Sequence, residues 1–117
     1  MADLVNAQPD PVRNDNPPTW PMVMNDLELM DLNGSTRATL VDMRDRDRVG
    51  FERYGVRIQA FNGRDCLVDG YQEVLDSCVY LRTALAEKHD PKVEDAYRRA
   101  IRLAVDIRTF IFERDGR

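Results

Sequence analysis

The sequence predicts an all-α protein, an antiparallel helical bundle preceded by an extended, proline-rich arm. Three stretches of the chain place apolar residues three or four positions apart, the spacing that lines one face of a helix. Five of the six prolines fall within the first 22 residues, where each removes a backbone donor and disfavours helix in the preceding residue. With 117 residues, the chain has the size of one domain, in which residues 1–34 form the arm and a turn and residues 35–117 form the helical core.

The first predicted helix covers residues 36–54, after a turn at Asn33-Gly34-Ser35. Its apolar stripe consists of Leu40, Met43, Asp47, Phe51 and Tyr54, with Asp47 as the one polar interruption. The alternating charges around Asp47 are typical of a solvated face whose charges neutralise one another. The competing interpretation is that Asp45 or Asp47 joins an acidic cluster further along the chain.

Two further helices are predicted on either side of a short turn. Asp65 can cap a helix that runs to about Glu87, and Asp90-Pro91 is a start signal for a helix that runs toward Glu113. The second predicted helix carries the apolar stripe Leu67, Tyr71, Val74, Cys78, Leu81 and Leu85, and the third carries Val93, Ala96, Tyr97, Ala100, Ala104, Ile107 and Ile111. Because only residues 88–90 connect them, we expect the two helices to pack antiparallel.

Three acids lie on the side of the second helix opposite its apolar stripe. Asp69, Glu73 and Asp76 are three or four residues apart, so a helix aligns them on one face that can hold a metal ion. A reflection of the third helix about residue 90 brings Asp106 to their level. The alternatives are a solvated acidic face and an Asp106 that pairs with Arg102 one turn away.

The composition excludes several common functional classes. The net charge of −4 with interleaved basic residues does not favour a surface for nucleic acid. The single histidine, His89, leaves no histidine pair for zinc, and no glycine-rich phosphate loop occurs. Cys66 and Cys78 are expected to be reduced, structural residues of a cytoplasmic protein, in which each thiol behaves as a small hydrophobe, and no apolar run is long enough to cross a membrane.

The segment Gln72-Glu73-Val74-Leu75-Asp76-Ser77-Cys78-Val79-Tyr80-Leu81 resembles the metal-binding helices of the MazG-like all-α nucleoside triphosphate pyrophosphohydrolases. The preceding segments, residues 53–59 and Asn62-Gly63-Arg64-Asp65, resemble the small phage-type members of that family. The resemblance covers about residues 36 to 112. It implies magnesium or manganese held by Glu-Glu-x-x-Glu on one helix and by Glu-x-x-Asp on a following helix.

The motif can be aligned with this chain in two ways. In the first, Gln72-Glu73-x-x-Asp76 stands for Glu-Glu-x-x-Glu, and Leu103-x-x-Asp106 stands for the second motif with its leading acid replaced. In the second, Glu73-x-x-Asp76 is the downstream motif, and the upstream acids are Asp42, Asp45 or Asp47. The first is preferred because the turn between helices two and three is short. Glu73 and Asp76 are ligands in both alignments, and Asp69 can compensate for a lost acid.

The resemblance implies that a nucleoside triphosphate is cleaved between its α- and β-phosphates, giving the monophosphate and pyrophosphate. Phage-type members act on purine deoxynucleotides, so the expected substrate is dGTP or GTP, and the expected assembly is a dimer or a tetramer. Candidate substrate contacts are Arg64, Lys88, Arg98 and Arg102 for the phosphates and Trp20 and Asn14 for the base. The rival hypothesis is a non-enzymatic helical adaptor or oligomerisation module, in which the acids only make the surface soluble.

Overall fold

The computed structural model describes residues 3–117, which form four helices: α1 Thr19–Met30, α2 Thr36–Tyr54, α3 Cys66–Glu87 and α4 Pro91–Asp115. No strand occurs in this range, so the all-α prediction is confirmed. The three helices predicted from the sequence are confirmed as α2, α3 and α4, with ends within two residues of those expected. None of the helices within residues 3–117 is long and apolar enough to span a membrane.

Helix α1 corrects the prediction of an extended arm up to residue 34. The segment from Asp3 to Pro18 is non-helical, but Thr19–Met30 form a helix instead of a continuation of the arm. Pro21 is the third residue of α1, where a backbone N–H has no partner within the helix, so its missing donor costs nothing. No proline follows until Pro91, and the rest of α1 is rich in Met and Leu, which favour helix.

The chain divides into two compact units. The first, here called the hairpin unit, contains residues 3–8 together with Asp65–Arg117, and therefore α3 and α4. The second, here called the α1–α2 unit, is Pro9–Arg64. The division follows contacts rather than cooperative unfolding, so the single domain expected from the chain length stays a prediction.

In the hairpin unit, α3 and α4 pack against each other with a fixed register. Near the open end of the hairpin, Arg114 Nη2 lies 2.6 Å from Asp65 Oδ2 and Arg114 Nη1 donates to Asp65 Oδ1 at 3.1 Å. One turn further in, Val68 and Ile111 are both 0% exposed, and Ala104 is 7% exposed. The Asp65–Arg114 pair defines an antiparallel register in which the numbers of residues at the same level add to about 179. The predicted apolar stripes of both helices are buried or half-buried.

Val68 is the one fully buried residue of α3 that the predicted stripe omitted. It lies about 100° from Leu67 around the helix, at the edge of the stripe. The periodicity of one helix does not reveal that a residue at this edge is completely buried. Cys66, the first residue of α3, is exposed, whereas Cys78 is half-buried, as expected of a small hydrophobe in the apolar stripe. The two cysteines are not joined by a disulfide.

The α1–α2 unit is organised differently, because neither of its helices contains a buried residue. Leu40 and Met43 are half-buried as predicted, but Phe51 and Tyr54 are 45% and 58% exposed, so the carboxyl-terminal part of the predicted stripe is not a core. The polar interruption in that stripe, Asp47, pairs with Arg57 just after α2, with Arg57 Nε to Asp47 Oδ1 at 3.1 Å. A charged partner therefore occupies the side of α2 for which the periodicity predicted an apolar neighbour.

Candidate functional site

The acidic face of α3, formed by Asp69, Glu73 and Asp76, is the candidate metal site that the sequence predicts. Asp65 caps the helix by accepting a hydrogen bond from Val68 N at 3.2 Å, and α3 then continues unbroken to Glu87. Glu73 and Asp76 are exposed, one turn apart, and Tyr80 follows on the same face with 71% exposure. Two carboxylates and a phenol are therefore available to a ligand along about two turns of helix.

Asp69, the third acid of this face, has a partner in the amino-terminal segment. Gln8 Nε2 donates to Asp69 Oδ1 at 2.6 Å and to the backbone oxygen of Asp65 at 2.9 Å. In return, Gln8 Oε1 accepts a hydrogen bond from Asp65 N at 2.7 Å. The Gln8 amide thus satisfies backbone groups at the start of α3 and holds the Asp69 carboxylate at the same time.

Asp106 does not converge with the acids of α3 within one chain. The register of the hairpin puts Asp106 at the level of Glu73, as the reflection about residue 90 predicts. It lies, however, about 200° around α4 from the buried Ala104, and it is exposed. Glu73 is likewise exposed and lies off the apolar stripe of α3, so neither carboxylate points into the contact between the two helices. Across residues 3–117, no group of three or more His, Cys, Asp or Glu side chains is arranged to hold a metal ion.

The acids of the second alignment lie on α2, in the α1–α2 unit. Asp42 and Asp45 are exposed, and Asp47 is half-buried and paired with Arg57. The pairing with Asp47 raises the pKa of the Arg57 guanidinium, mainly through the hydrogen bond between them. Of the three candidates, Asp47 therefore has a structural partner already, whereas Asp42 and Asp45 are open to solvent.

The basic residues predicted to contact phosphates differ in their exposure and in their hydrogen bonds. Arg64 is half-buried and donates from Nη1 to the backbone oxygen of Pro9 at 2.6 Å. Lys88 is exposed and ends α3, and Arg102 is exposed on α4. In the described part of the chain neither Arg102 nor Asp106 forms an ion pair, so the predicted pairing between them is not made.

Of the two residues predicted to contact the base, Asn14 already makes several hydrogen bonds. Its Nδ2 donates to the backbone oxygens of Ala60 and Phe61, both at 2.9 Å. Its Oδ1 accepts from Asn16 N at 2.7 Å. Trp20 is half-buried in the first turn of α1. Asn14 thus stabilises the loop before α3.

The sequence analysis missed an open depression at the closed end of the hairpin. Its volume is about 420 Å³, and it is lined by Arg82, Leu85, Ala86, His89, Glu94, Tyr97 and Arg98. Glu94 accepts hydrogen bonds from Arg98 at 3.1 Å and contacts His89 Nε2 at 3.3 Å, and these two interactions, with Arg98 the larger, lower the pKa of the Glu94 carboxyl. The sequence signal that could have revealed this ion pair is the spacing of Glu94 and Arg98, which are four residues apart in a predicted helix.

Phe61 is a second residue that the sequence analysis did not single out. It is 89% exposed and has a φ of 57°, a left-handed conformation that is rare for an aromatic residue. The Asn14 amide holds its carbonyl oxygen, and the adjacent Asn62 is buried. The turn signal at Asn62-Gly63 indicated the sharp change of direction but not which residue would adopt the left-handed conformation.

No family model, curated protein or solved structure matches the chain.

Proposed function

We propose that the chain is a metal-dependent nucleoside triphosphate pyrophosphohydrolase. It converts a purine (deoxy)nucleoside triphosphate, dGTP or GTP, to the monophosphate and pyrophosphate, and it works as a homo-oligomer. The observation that carries the proposal is the exposed acidic face of α3, where Glu73 and Asp76 point away from the packed side of the hairpin. The choice of substrate rests on the resemblance of residues 72–81 to the MazG-like family.

The side chains on this face suit a hard divalent cation. Magnesium and manganese prefer carboxylate oxygens and retain several water molecules, so two carboxylates from one helix are a sufficient beginning of a site. Glu73 and Asp76 would hold the ion, which supplies charge neutralisation for the phosphates and an activated water. Asp69 can join them once its carboxylate is released from the Gln8 amide. The side-chain hydroxyl of Tyr80, on the same face, can donate a hydrogen bond to a phosphate oxygen.

The first test is hydrolysis of each of the eight common ribo- and deoxynucleoside triphosphates with magnesium or manganese, followed by product separation. We expect the monophosphate and pyrophosphate from the purine substrates. Glu73→Ala and Asp76→Ala are each expected to lower kcat/KM by about a hundredfold or more, because each removes a carboxylate that would hold the metal ion acting on the reacting phosphates. Both residues are exposed, so the fold should tolerate the substitutions.

The matched control is Asp95→Ala, which removes an equally exposed helical acid that only pairs with Arg99 at 3.0 Å. Its activity should equal that of the unsubstituted chain. Magnesium should also raise the melting temperature of the unsubstituted chain and not that of Glu73→Ala. No turnover of any nucleotide, together with a melting temperature that is indifferent to magnesium, would refute the proposal.

The alternative is a helical adaptor or oligomerisation module without catalytic activity. The observation that favours it is the large number of exposed apolar side chains on the hairpin, among them Val79, Val105 and Phe112, each at least 59% exposed. An adaptor would be unaffected by both magnesium and nucleotide, so the thermal measurement above separates the two functions.

A further inference from the structure

The depression at the closed end of the hairpin lies on a different side of α3 from the acidic face. Its lining on α3 consists of Arg82, Leu85 and Ala86. Arg82 follows Glu73 by nine residues, which places the two residues about 180° apart around the helix. The depression is therefore a second candidate site, separate from the carboxylates that carry the proposed hydrolysis.

The charged side chains of the depression leave an excess of positive charge. Arg82 and Arg98 each contribute a guanidinium, and Glu94 contributes the one carboxylate of the lining. The hairpin register puts Arg82 at the level of Tyr97, next to Arg98, so the two guanidiniums come from neighbouring positions on facing helices. Glu94 balances only one of them. Even with a neutral His89, the lining therefore favours an anionic ligand.

Both guanidiniums keep hydrogen-bond donors for such a ligand. Arg98 uses Nη2 for its hydrogen bond to Glu94 Oε1, and within residues 3–117 its Nε and Nη1 make none. The side chain of Arg82 forms no hydrogen bond or ion pair in the same range. A guanidinium presents its N–H groups as a planar fork that matches the two oxygens of a carboxylate or a phosphate. The bond to Glu94 also fixes Arg98 at the depression before a ligand arrives.

Apolar and aromatic groups form the rest of the lining. Leu85 and Tyr97 are half-buried, and Ala86 adds a methyl group. The volume of about 420 Å³ lies within the range of small-molecule sites, which combine apolar walls with a few polar groups. A ligand that satisfies both parts of the lining has an oxyanion and an apolar, flat portion.

We propose that the depression binds a small organic anion in which a planar ring carries a carboxylate or a phosphate group. Arg82 and Arg98 bind the oxyanion, and the ring contacts Leu85 and Tyr97. The two kinds of oxyanion share the same recognition by guanidinium groups, and the test distinguishes them. The proposal does not depend on hydrolytic activity, because neither Glu73 nor a metal ion takes part in it.

The test is a titration of the full chain, without metal, with benzoate and with phenyl phosphate, followed through amide chemical shifts by NMR. We expect saturable shifts concentrated at residues 82–98, with a dissociation constant on the order of 1 mM for the tighter of the two, as suits a small ligand in an open site. The tighter probe identifies the oxyanion. Acetate and inorganic phosphate lack the ring and should each bind about fivefold more weakly than their aromatic counterpart.

Arg82→Gln and Arg98→Gln test the role of the guanidiniums. Each removes one charge and keeps an exposed polar side chain, and each should weaken binding about tenfold. The matched control is Arg99→Gln, which removes an equally exposed arginine of α4 that pairs with Asp95 at 3.0 Å and does not line the depression. This variant should bind both probes as the unsubstituted chain does.

Circular dichroism of each variant checks that the helices are retained, as expected for substitutions of exposed residues. Three results would overturn the proposal. They are the absence of saturable shifts at residues 82–98, an equal loss of binding in all three variants, and aromatic anions that bind no more tightly than acetate and inorganic phosphate.

Discussion

The two units of the chain are stabilised by different kinds of interaction. The hairpin unit contains the apolar residues Val68 and Ile111, which are completely buried. In the α1–α2 unit no residue of either helix is buried, and the one buried residue is the polar Asn62. Hydrophobic burial is proportional to area and needs no particular geometry, whereas hydrogen bonds between polar groups need each partner in place.

Polar contacts in the α1–α2 unit connect the segment before α1 to the segment after α2. Gln59 Nε2 donates to the backbone oxygens of Asn14 and Asn16, at 2.9 Å and 2.6 Å. Val12 N donates to the oxygen of Asn62 and Thr19 N to that of Ile58, both at 2.8 Å. We therefore expect the hairpin unit to be destabilised by truncation of its buried side chains and little affected by polar substitutions on its surface. We expect the α1–α2 unit to be destabilised by loss of its hydrogen bonds and little affected by truncation of apolar side chains.

The largest effect is expected from Ile111→Ala. Truncation of a fully buried isoleucine removes its burial energy and leaves a cavity, which costs about 3 kcal/mol of unfolding free energy. Leu103→Ala, at a half-exposed position of the same helix, is the matched control and should cost less than about 1 kcal/mol. Urea unfolding gives the free energies, and amide hydrogen exchange shows which helices open. Equal costs for both variants would contradict a core centred on Ile111.

A smaller effect is expected at Asp65. The hydrogen bonds from Arg114 lower the pKa of the Asp65 carboxyl, with Val68 N contributing as the capping donor. The stabilisation is therefore present above the ordinary pKa of about 4 and is lost as the pH falls through the lowered pKa of the folded state. Asp65→Ala, which removes both the cap and the ion pair, should cost about 1–2 kcal/mol at pH 7.

The control at this position is Asp65→Asn, because asparagine is also a good helix cap but carries no charge to titrate. Its stability should lie between those of the unsubstituted chain and Asp65→Ala at pH 7. Below pH 4 the difference between the unsubstituted chain and Asp65→Asn should shrink, as measured by thermal unfolding at successive pH values. A difference that is constant with pH would show that the ion pair with Arg114 contributes nothing.

The smallest effect is expected from Gln59→Ala in the α1–α2 unit. It removes two donated hydrogen bonds and one accepted from Asn14 N at 3.2 Å, at a total cost of about 1 kcal/mol. Limited proteolysis should then cut residues 9–18 faster. The control is Gln72→Ala in the hairpin unit, which loses one exposed hydrogen bond to the oxygen of Asn6 and should change proteolysis little. Equal sensitivity of both variants would show that the units do not differ in this way.

Much of the hairpin could be predicted from the sequence because its signals are local. Asp65 and Asp90 cap α3 and α4 as expected, with Asp90 Oδ1 accepting from Lys92 N at 2.9 Å. The short connection of residues 88–90 fixed the antiparallel register to within one residue. The same register could not reveal the direction in which Asp106 points. It gives only the level of a residue along the helix, whereas the direction depends on the position of the residue around α4 relative to the buried side of that helix.

The sequence by itself determined the all-α class, the bounds of α2, α3 and α4, and the alignment of Glu73 and Asp76 on one helix face, since spacing and capping act over a few residues. Tertiary structure alone decided that Asp47 pairs with Arg57 and that Gln8 holds Asp69 across 61 residues of sequence. Such contacts join segments that are distant along the chain. Their partners are chosen by packing and by the need of each polar group for a hydrogen bond, and no local pattern encodes that choice.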